Sequence, residues 1–285
     1  MEFNVHEPDT LLAFLQKQMA ERSRSAVKSL LTHGRIAING SRTTRYDAAL
    51  QPGDTVSVLH GMSARPLRHP LLRIVWEDDY LIVADKRNGL LSVGTDKERR
   101  RTAFFILSEH IKQQHPSARL FVVHRLDRET SGLILYAKSQ AVQEQLQRNW
   151  KDLVYDRRYV AVIEGHLPRP TGVIDTLLRE DRNRKMWAAR TGEGEQAVTS
   201  YTVLREGQAY SLVELSLRTG KKNQIRAHME WMKTPIAGDK KYGATTNPAG
   251  RVCLHAYRLC FVHPVTGERL DFTTGIPKLF EETVR

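Results

Sequence analysis

The chain has 285 residues, enough for one large domain or two smaller ones. Forty-four Lys and Arg against 32 Asp and Glu leave a formal charge of +12, a field that attracts polyanions, of which nucleic acid is the commonest in a cell. Two cysteines, Cys253 and Cys260, make no disulfide framework and fit a reduced, cytoplasmic compartment, the first residues carry no secretory pattern, and no apolar run approaches the ~20 residues of a membrane span.

Leu11, Leu12, Phe14 and Leu15 predict a short amphipathic helix. Ser23 or Ser25 caps a second helix carrying Val27, Leu30 and Leu31, and Gly34 stops it. Arg35 to Gly40 reads as a strand entering an Asn39-Gly40 turn, and Gly53 to Val58 as the returning strand. Between Thr10 and His60 seven basic residues face three acidic ones. Arg24 and Lys28, four apart, share a helix face, which is either an ordinary solvated surface or a patch that tracks phosphates. This unit resembles the S4 RNA-binding domain: a helix opening Ser-Arg, a Gly stop, a strand ending in Asn-Gly and a strand starting at Gly-Asp. The resemblance implies RNA contact through Arg24 and Lys28.

From His60 to Pro70 the residues Gly61, Ser63, Pro66 and Pro70 mark a linker. Leu72 to Trp76 and Tyr80 to Lys86 then read as two strands around an acidic turn. Phe104, Leu107 and Ile111 have helical spacing, as do Val142, Leu146 and Trp150. Beyond Tyr155 strands predominate, at Arg158–Glu164, Ala197–Leu204, Ser211–Leu217 and Cys260–Val262, with one helix-like piece from Asn223 to Met232. Strands mixed with helices without regular βαβ alternation point to an α+β fold. Neither a G-x-x-x-x-G-K-S/T loop nor a G-x-G-x-x-G loop is present, so a nucleotide cofactor is not expected.

Four segments can carry chemistry. His124 to Leu135 places Asp127 between Arg125 and Arg128, whose positive charge should lower its pKa and keep it ionised as a base or nucleophile. On spacing alone an Asp bonded to Thr130 or Ser131 in an ordinary turn explains the segment better. Tyr159, in an alternating strand with a basic lead-in, is a packed aromatic, a stacking platform for an extruded base or a proton-transfer hydroxyl. Arg218 to His228 is a charged loop leading into a helix start, where Arg226 could turn inward to face a carboxylate. Pro235 to Gly243 is followed by Leu254-His255-Ala256, in which Leu254 is a core residue or an apolar wall beneath a base. Cys253, His255, Cys260 and His263 match none of the close zinc-ligand spacings, and no metal is expected.

Taken in order, these segments resemble the RluA-type family of RNA pseudouridine synthases. That family carries His-Arg-Leu-Asp-x-x-Thr-Ser-Gly, here His124 to Gly132. Its Tyr-x-Ala-x-x-x-Gly strand corresponds to Tyr159 to Gly165. Thr-Gly-Arg-x-His-Gln-Ile-Arg falls at Thr219 to Arg226, and Pro-Ile-x-Gly-Asp-x-x-Tyr-Gly at Pro235 to Gly243. Leu-His-Ala corresponds to Leu254 to Ala256, ahead of the His263-Pro264 turn. Arg184-Lys185-Met186 and Ala197-Val198-Thr199 also match. The similarity covers about residues 70–280, and an S4-like unit commonly precedes it. It implies an S4-like domain over 1–62, a linker over 63–70 and a catalytic domain over 71–285 with a mixed, largely antiparallel sheet flanked by helices.

The resemblance further implies isomerisation of uridine to pseudouridine in structured RNA, ribosomal or transfer, by a cytoplasmic monomer without cofactor. Asp127 would be the catalytic carboxylate, Arg226 its partner, and Tyr159 the platform on which the base stacks. Leu254 would line the floor, Gln224 would contact substrate, and Arg125 would fill the gap left by the flipped nucleotide. Two departures stand out. Lys86-Arg87-Asn88-Gly89 replaces Lys-Pro-x-Gly, and Gly220-Lys221-Lys222-Asn223 replaces Gly-Arg-x-His, which bears on RNA contacts and target choice. A silent RNA-binding or ribosome-assembly protein on the same scaffold is the alternative. A glycosidic hydrolase fits less well, because that chemistry usually needs two flanking carboxylates.

Overall fold

The computed structural model describes the chain except for residues 33, 34, 44 and 59–66, together with the side chains of residues 29, 32, 42 and 114. The expected Gly34 stop and the first half of the 63–70 linker lie outside the described residues. In the N-terminal part β1 (Glu2–Asn4), β2 (Asp9–Thr10), α1 (Leu11–Gln18), α2 (Arg24–Thr32), β3 (Ile36–Ile38), β4 (Ser41–Thr43), β5 (Ala49–Leu50) and β6 (Thr55–Val58) follow one another. Of the two candidate caps for α2, Ser23 accepts the Ala26 N–H at 3.3 Å. Asn39 and Gly40 take positive φ values of 49° and 78°, the geometry of a tight hairpin turn joining β3 to β4. Four strands pair in the order β1-β6-β3-β4. They enclose a core of Leu11, Phe14, Leu15, Val27, Leu31, Ile36 and Val56, the apolar positions of both helices and both strands read from the sequence.

The remainder comprises β7 (Leu72–Glu77), β8 (Leu81–Lys86), α3 (Ala103–Gln114), β9 (Phe121–Val122), β10 (Ser131–Ala137), α4 (Gln140–Arg148), α5 (Trp150–Leu153), β11 (Asp156–Glu164), β12 (Thr171–Glu180), β13 (Met186–Ala189), β14 (Glu195–Glu206), β15 (Tyr210–Leu217), α6 (Gln224–Trp231), β16 (Leu254–Val262), β17 (Arg269–Thr273) and α7 (Lys278–Thr283). Among the described residues eleven strands form one sheet with the path β13-β12-β14-β15-β11-β16-β10-β8-β7; β17 adds to β16 and β9 to β10. Its named strands pair antiparallel except β10 with β16. The fold is thus the expected α+β class with a mixed, largely antiparallel sheet.

Strands β8 and β10 are buried along their whole length because both faces are covered. Ile82, Ala84, Ile134 and Tyr136 face Leu107 and Ile111 of α3, while the alternate residues Leu81, Val83, Leu133 and Leu135 face Val142 and Leu146 of α4. Thr102 and Ser139 cap these two helices by accepting from Phe105 N at 3.1 Å and Val142 N at 3.3 Å. Two readings are corrected. Trp150 lies past the end of α4 and opens α5. The strand expected at Cys260–Val262 is the tail of a strand that begins at Leu254.

The parallel join of β10 to β16 registers Ser131 with His255 and Gly132 with Ala256. Gly132 has φ +113°, and a Cβ there would fall 2.1 Å from the Ala256 carbonyl oxygen. Only glycine permits this approach, which sets the end of the Asp127 loop beside Leu254. Gly132→Ala is expected to lose roughly 3 kcal/mol of stability through steric overlap and strain. Denaturant unfolding checks this, and a loss within the range of an ordinary surface substitution would show that the two strands can part freely.

Candidate active site

A cleft of about 520 Å³ opens where the β10–β16 join meets the start of α6. Asp127, Arg125, Tyr159, Leu254, Asn223, Gln224 and Arg226 all contribute to its walls. Residues 127 to 130 form a turn in which Thr130 N–H donates to the Asp127 carbonyl at 3.2 Å. The side chains of that turn do not engage the Asp127 carboxylate. The Ser131 hydroxyl instead meets His255 Nδ1 at 2.7 Å and accepts from Arg251 at 2.8 Å. His124 also turns away: its Nε2 accepts the Leu135 N–H at 3.0 Å and its ring packs on Trp150. Burial and nearby Arg157 hold that imidazole neutral, with a pKa of about 3.

The Lys86-Arg87-Asn88-Gly89 loop is fastened to the Asp127 turn. Lys86 is fully buried, and its Nζ donates to the carbonyls of Leu90 at 2.9 Å, Arg87 at 3.2 Å and Arg128 at 3.3 Å. Arg128 borders the cleft but is tied to this loop, with Nε donating to the Gly89 carbonyl at 3.1 Å. The missing proline has a structural counterpart: Arg87 N–H donates to the Leu71 carbonyl at 2.9 Å, a bond proline cannot make. Burial brings the Lys86 ammonium down to about 7 despite the neighbouring Asp127 charge.

Two expectations about Asp127 change. Its pKa is raised, because burial outweighs the positive charges of Arg226, Lys86 and Arg125 that pull it down. Flanking arginines in sequence did not decide the direction; Arg128 points elsewhere and Arg125 is exposed. Arg226 does approach Asp127, but only to 3.7 Å from Nη1 to Oδ2. Its close partner is Asp239, to which Nε donates at 2.6 Å and Nη2 at 2.7 Å. Asp239 keeps 1 % of its surface exposed, and the Tyr242 ring covers the guanidinium 4.7 Å from its centroid. The sequence presented Asp239 only as one member of Pro235 to Gly243, with nothing to mark it as the buried acid.

Gln224 is also placed differently from expectation. It borders the cleft, yet its amide is committed within the protein: Oε1 accepts from Thr219 Oγ1 at 2.7 Å and Lys221 N at 3.0 Å, while Nε2 donates to Thr199 Oγ1 and the Val198 carbonyl. It shapes the Thr219–Asn223 loop rather than facing substrate space. Tyr159 on β11 and Leu254 on β16 are buried side chains of adjacent strands and form one apolar wall. Burial raises the Tyr159 hydroxyl above its ordinary value. Arg157, two residues earlier on the same strand face, lines the cleft beside Trp150. Lys221 and Lys222 are engaged by Glu195 and Glu180, each at 2.5 Å. Arg24 and Lys28 are exposed on α2 and do not border the cleft.

The four candidate zinc ligands do not converge. His255 lies between Ser131 and Thr274, His263 meets Asp78, Cys253 approaches the Arg251 carbonyl, and Cys260 lies between Arg258 and Asp271. Chemically, the cleft offers one carboxylate under cationic restraint, an aromatic and aliphatic wall, and exposed guanidinium at its mouth. That combination suits a flat apolar ring attached to an anionic backbone.

Comparison with known proteins points the same way. A family model described as RNA pseudouridylate synthase matches residues 80–231, and an S4 domain model matches residues 10–56. The uncharacterized RNA pseudouridine synthase YlyB of Bacillus subtilis is 32% identical over 278 residues, covering 95% of this chain and 91% of its own. Ribosomal large subunit pseudouridine synthase D of Neisseria meningitidis is 34% identical over 281 residues, 93% of this chain and 75% of its own. Among solved structures, human RNA pseudouridylate synthase domain containing 4 superposes with a TM-score of 0.60 at 26% identity, covering 74% of this chain and 90% of its own.

The buried Arg226–Asp239 pair carries a stability prediction. Asp239→Leu alone should lose ~3–5 kcal/mol, because it strands a buried guanidinium, whereas Asp239→Leu with Arg226→Leu should lose distinctly less. Denaturant unfolding of both variants decides it, and equal losses would mean that no stranded charge is involved.

Proposed function

The chain belongs to the RNA pseudouridylate synthase family, and from that premise we propose that it isomerises uridines in structured RNA with Asp127 as the catalytic carboxylate. The enzyme is an isomerase: the N1–C1′ bond of uridine breaks, the base turns, C5 joins C1′ and gives up its proton, and N1 gains one, so the formula is unchanged and no co-reactant is consumed. The observation that carries the reading is the position of Asp127 in the cleft, with the Tyr159–Leu254 wall among the same lining residues.

A uridine in folded RNA reaches such a carboxylate only by leaving its stack, which requires a surface to receive the base. Tyr159 and Leu254 supply that surface. Arg125 is exposed at the mouth, where a guanidinium can take the vacated position or hold phosphate. Asp127 acts at the sugar, and the arrangement serves either direct attack at C1′ or removal of a sugar proton. Ribosomal RNA is the favoured substrate class over transfer RNA, supported by the 34% identity to a synthase named for the large ribosomal subunit. A cytoplasmic location fits the composition, a monomer is the state the family resemblance implies, and the basic face of α2 with Arg24 and Lys28 provides a second RNA contact.

Asp127→Asn is expected to reduce pseudouridine formation on the order of 10³-fold while RNA affinity stays essentially unchanged. Because burial raises the Asp127 pKa, wild-type activity should fall with decreasing pH at a higher pH than an unperturbed aspartate would give. Pseudouridine mapping and rate measurement across pH test both statements, and turnover persisting in the variant would remove Asp127 from the mechanism. Replacing Arg24 and Lys28 together by Glu should weaken RNA binding and lessen its salt dependence by on the order of two ionic contacts, with the chemical step little altered. Filter-binding titrations at several salt concentrations give the slope; an unchanged slope would place RNA elsewhere.

A further inference from the structure

The residue closest to the Asp127 carboxylate is Asn223, the position at which the family pattern carries His. With its amide nitrogen turned toward the acid, Asn223 lies 2.8 Å from both Asp127 oxygens, and its carbonyl accepts from the Tyr242 hydroxyl at 2.9 Å. The opposite orientation would set the amide oxygen against a carboxylate, so an ionised Asp127 selects this one. Tyr242 is fully buried, and its oxygen is itself fixed by the Met186 N–H at 3.1 Å. The backbone at Asn223 has φ 50°, a left-handed conformation that Asn and His adopt far more readily than most residues. Arg226 is less able to orient the acid, since it is 3.7 Å away and two of its N–H groups are committed to Asp239.

We propose that Asn223 is the positioning residue that fixes the Asp127 carboxylate for reaction, with Tyr242 as the brace behind it. The proposal rests on Asp127 being the reacting acid. A neutral amide bonded to both oxygens defines the plane of the carboxylate and favours its ionised form without adding a charge. The other groups facing Asp127 are Arg226 from α6, Lys86 from the end of β8, Asp239 from the 235–243 loop, Arg125 from its own turn, and the hydroxyls of Tyr159 and Tyr242. Burial of the carboxyl leaves an opposing effect for this amide to act against.

The test uses the full-length protein and total RNA labelled with [5-³H]uridine from cells lacking it, reading tritium release under enzyme excess. The maximal rate, the enzyme concentration giving half of it, and the pH dependence of the rate are compared for wild type, Asn223→Leu, Tyr242→Phe and Asp127→Asn. Asn223→Leu should lower the maximal rate by about 10²-fold, leave the half-saturating concentration nearly unchanged, and move the acid limb upward by about one pH unit. Tyr242→Phe should move both rate and limb in the same direction by less. Lys86, with its pKa near 7, is present in all four proteins and so does not create the difference. A rate loss with an unmoved acid limb, a change confined to the half-saturating concentration, or no change at all would overturn the proposal. Should Asn223→Leu not fold, the Tyr242→Phe limb decides by the same criterion. Full activity of Asp127→Asn would instead sink the reading of the site, whereas loss of activity there with indifference at Asn223 would sink only this inference.

Discussion

Arg226 and Asp239 form a doubly hydrogen-bonded ion pair in a place almost closed to water, roofed by the Tyr242 ring. Desolvating two charges is costly, and the pair persists because both partners are bidentate and close. The consequence is rigidity where the site needs it. The pair ties the first turn of α6 to the 235–243 loop, and this brings Asn223 and Tyr242 to fixed positions beside Asp127. Arg226 still reaches the acid as a charge, at 3.7 Å, without being free to follow it.

The carboxylate itself is held between opposing influences. Burial raises its pKa; Arg226, Lys86 and Arg125 pull it down. None of these cations makes a close ion pair with it, so the acid keeps open lone pairs and 29% of its side-chain surface faces the cleft. An ion pair at 2.6 Å, such as Arg226 makes with Asp239, would leave a carboxylate well ionised but occupied. The role proposed for Asp127 asks for an acid that is charged and available, and a cation at 3.7 Å with a neutral amide donor fits both demands.

The positions of these groups follow from backbone constraints some distance away. Gly132 lets β10 pass against β16, which brings the end of the Asp127 loop beside Leu254, and both residues line the cleft. Lys86 fastens the loop after β8 to the Asp127 turn through three carbonyls. Where the family pattern has proline, this loop has instead the Arg87 N–H bond to the Leu71 carbonyl, which proline could not make.

The amino-acid sequence by itself determined many of the elements and the family, though not strands such as Ser131–Ala137 and Thr171–Glu180. The spacing of Leu107 and Ile111 marks a helix, the short β-branched apolar run Tyr159 to Ile163 marks a strand, and Asn39-Gly40 marks a turn, because each depends on contacts within a few residues. The ordered motifs around Asp127, Tyr159, Arg226 and Leu254 named the chemistry for the same reason: residue types and local spacing are written directly in the chain. Only the tertiary structure decided who pairs with whom. Whether Arg226 meets Asp127 or Asp239, whether Gln224 faces substrate or the loop, and whether the Asp127 pKa rises or falls are sums over groups far apart in sequence. Arginines on either side of Asp127 suggested a lowered value. Folding turned Arg128 away, left Arg125 in solvent and surrounded the acid with packed side chains, and desolvation then outweighed charge.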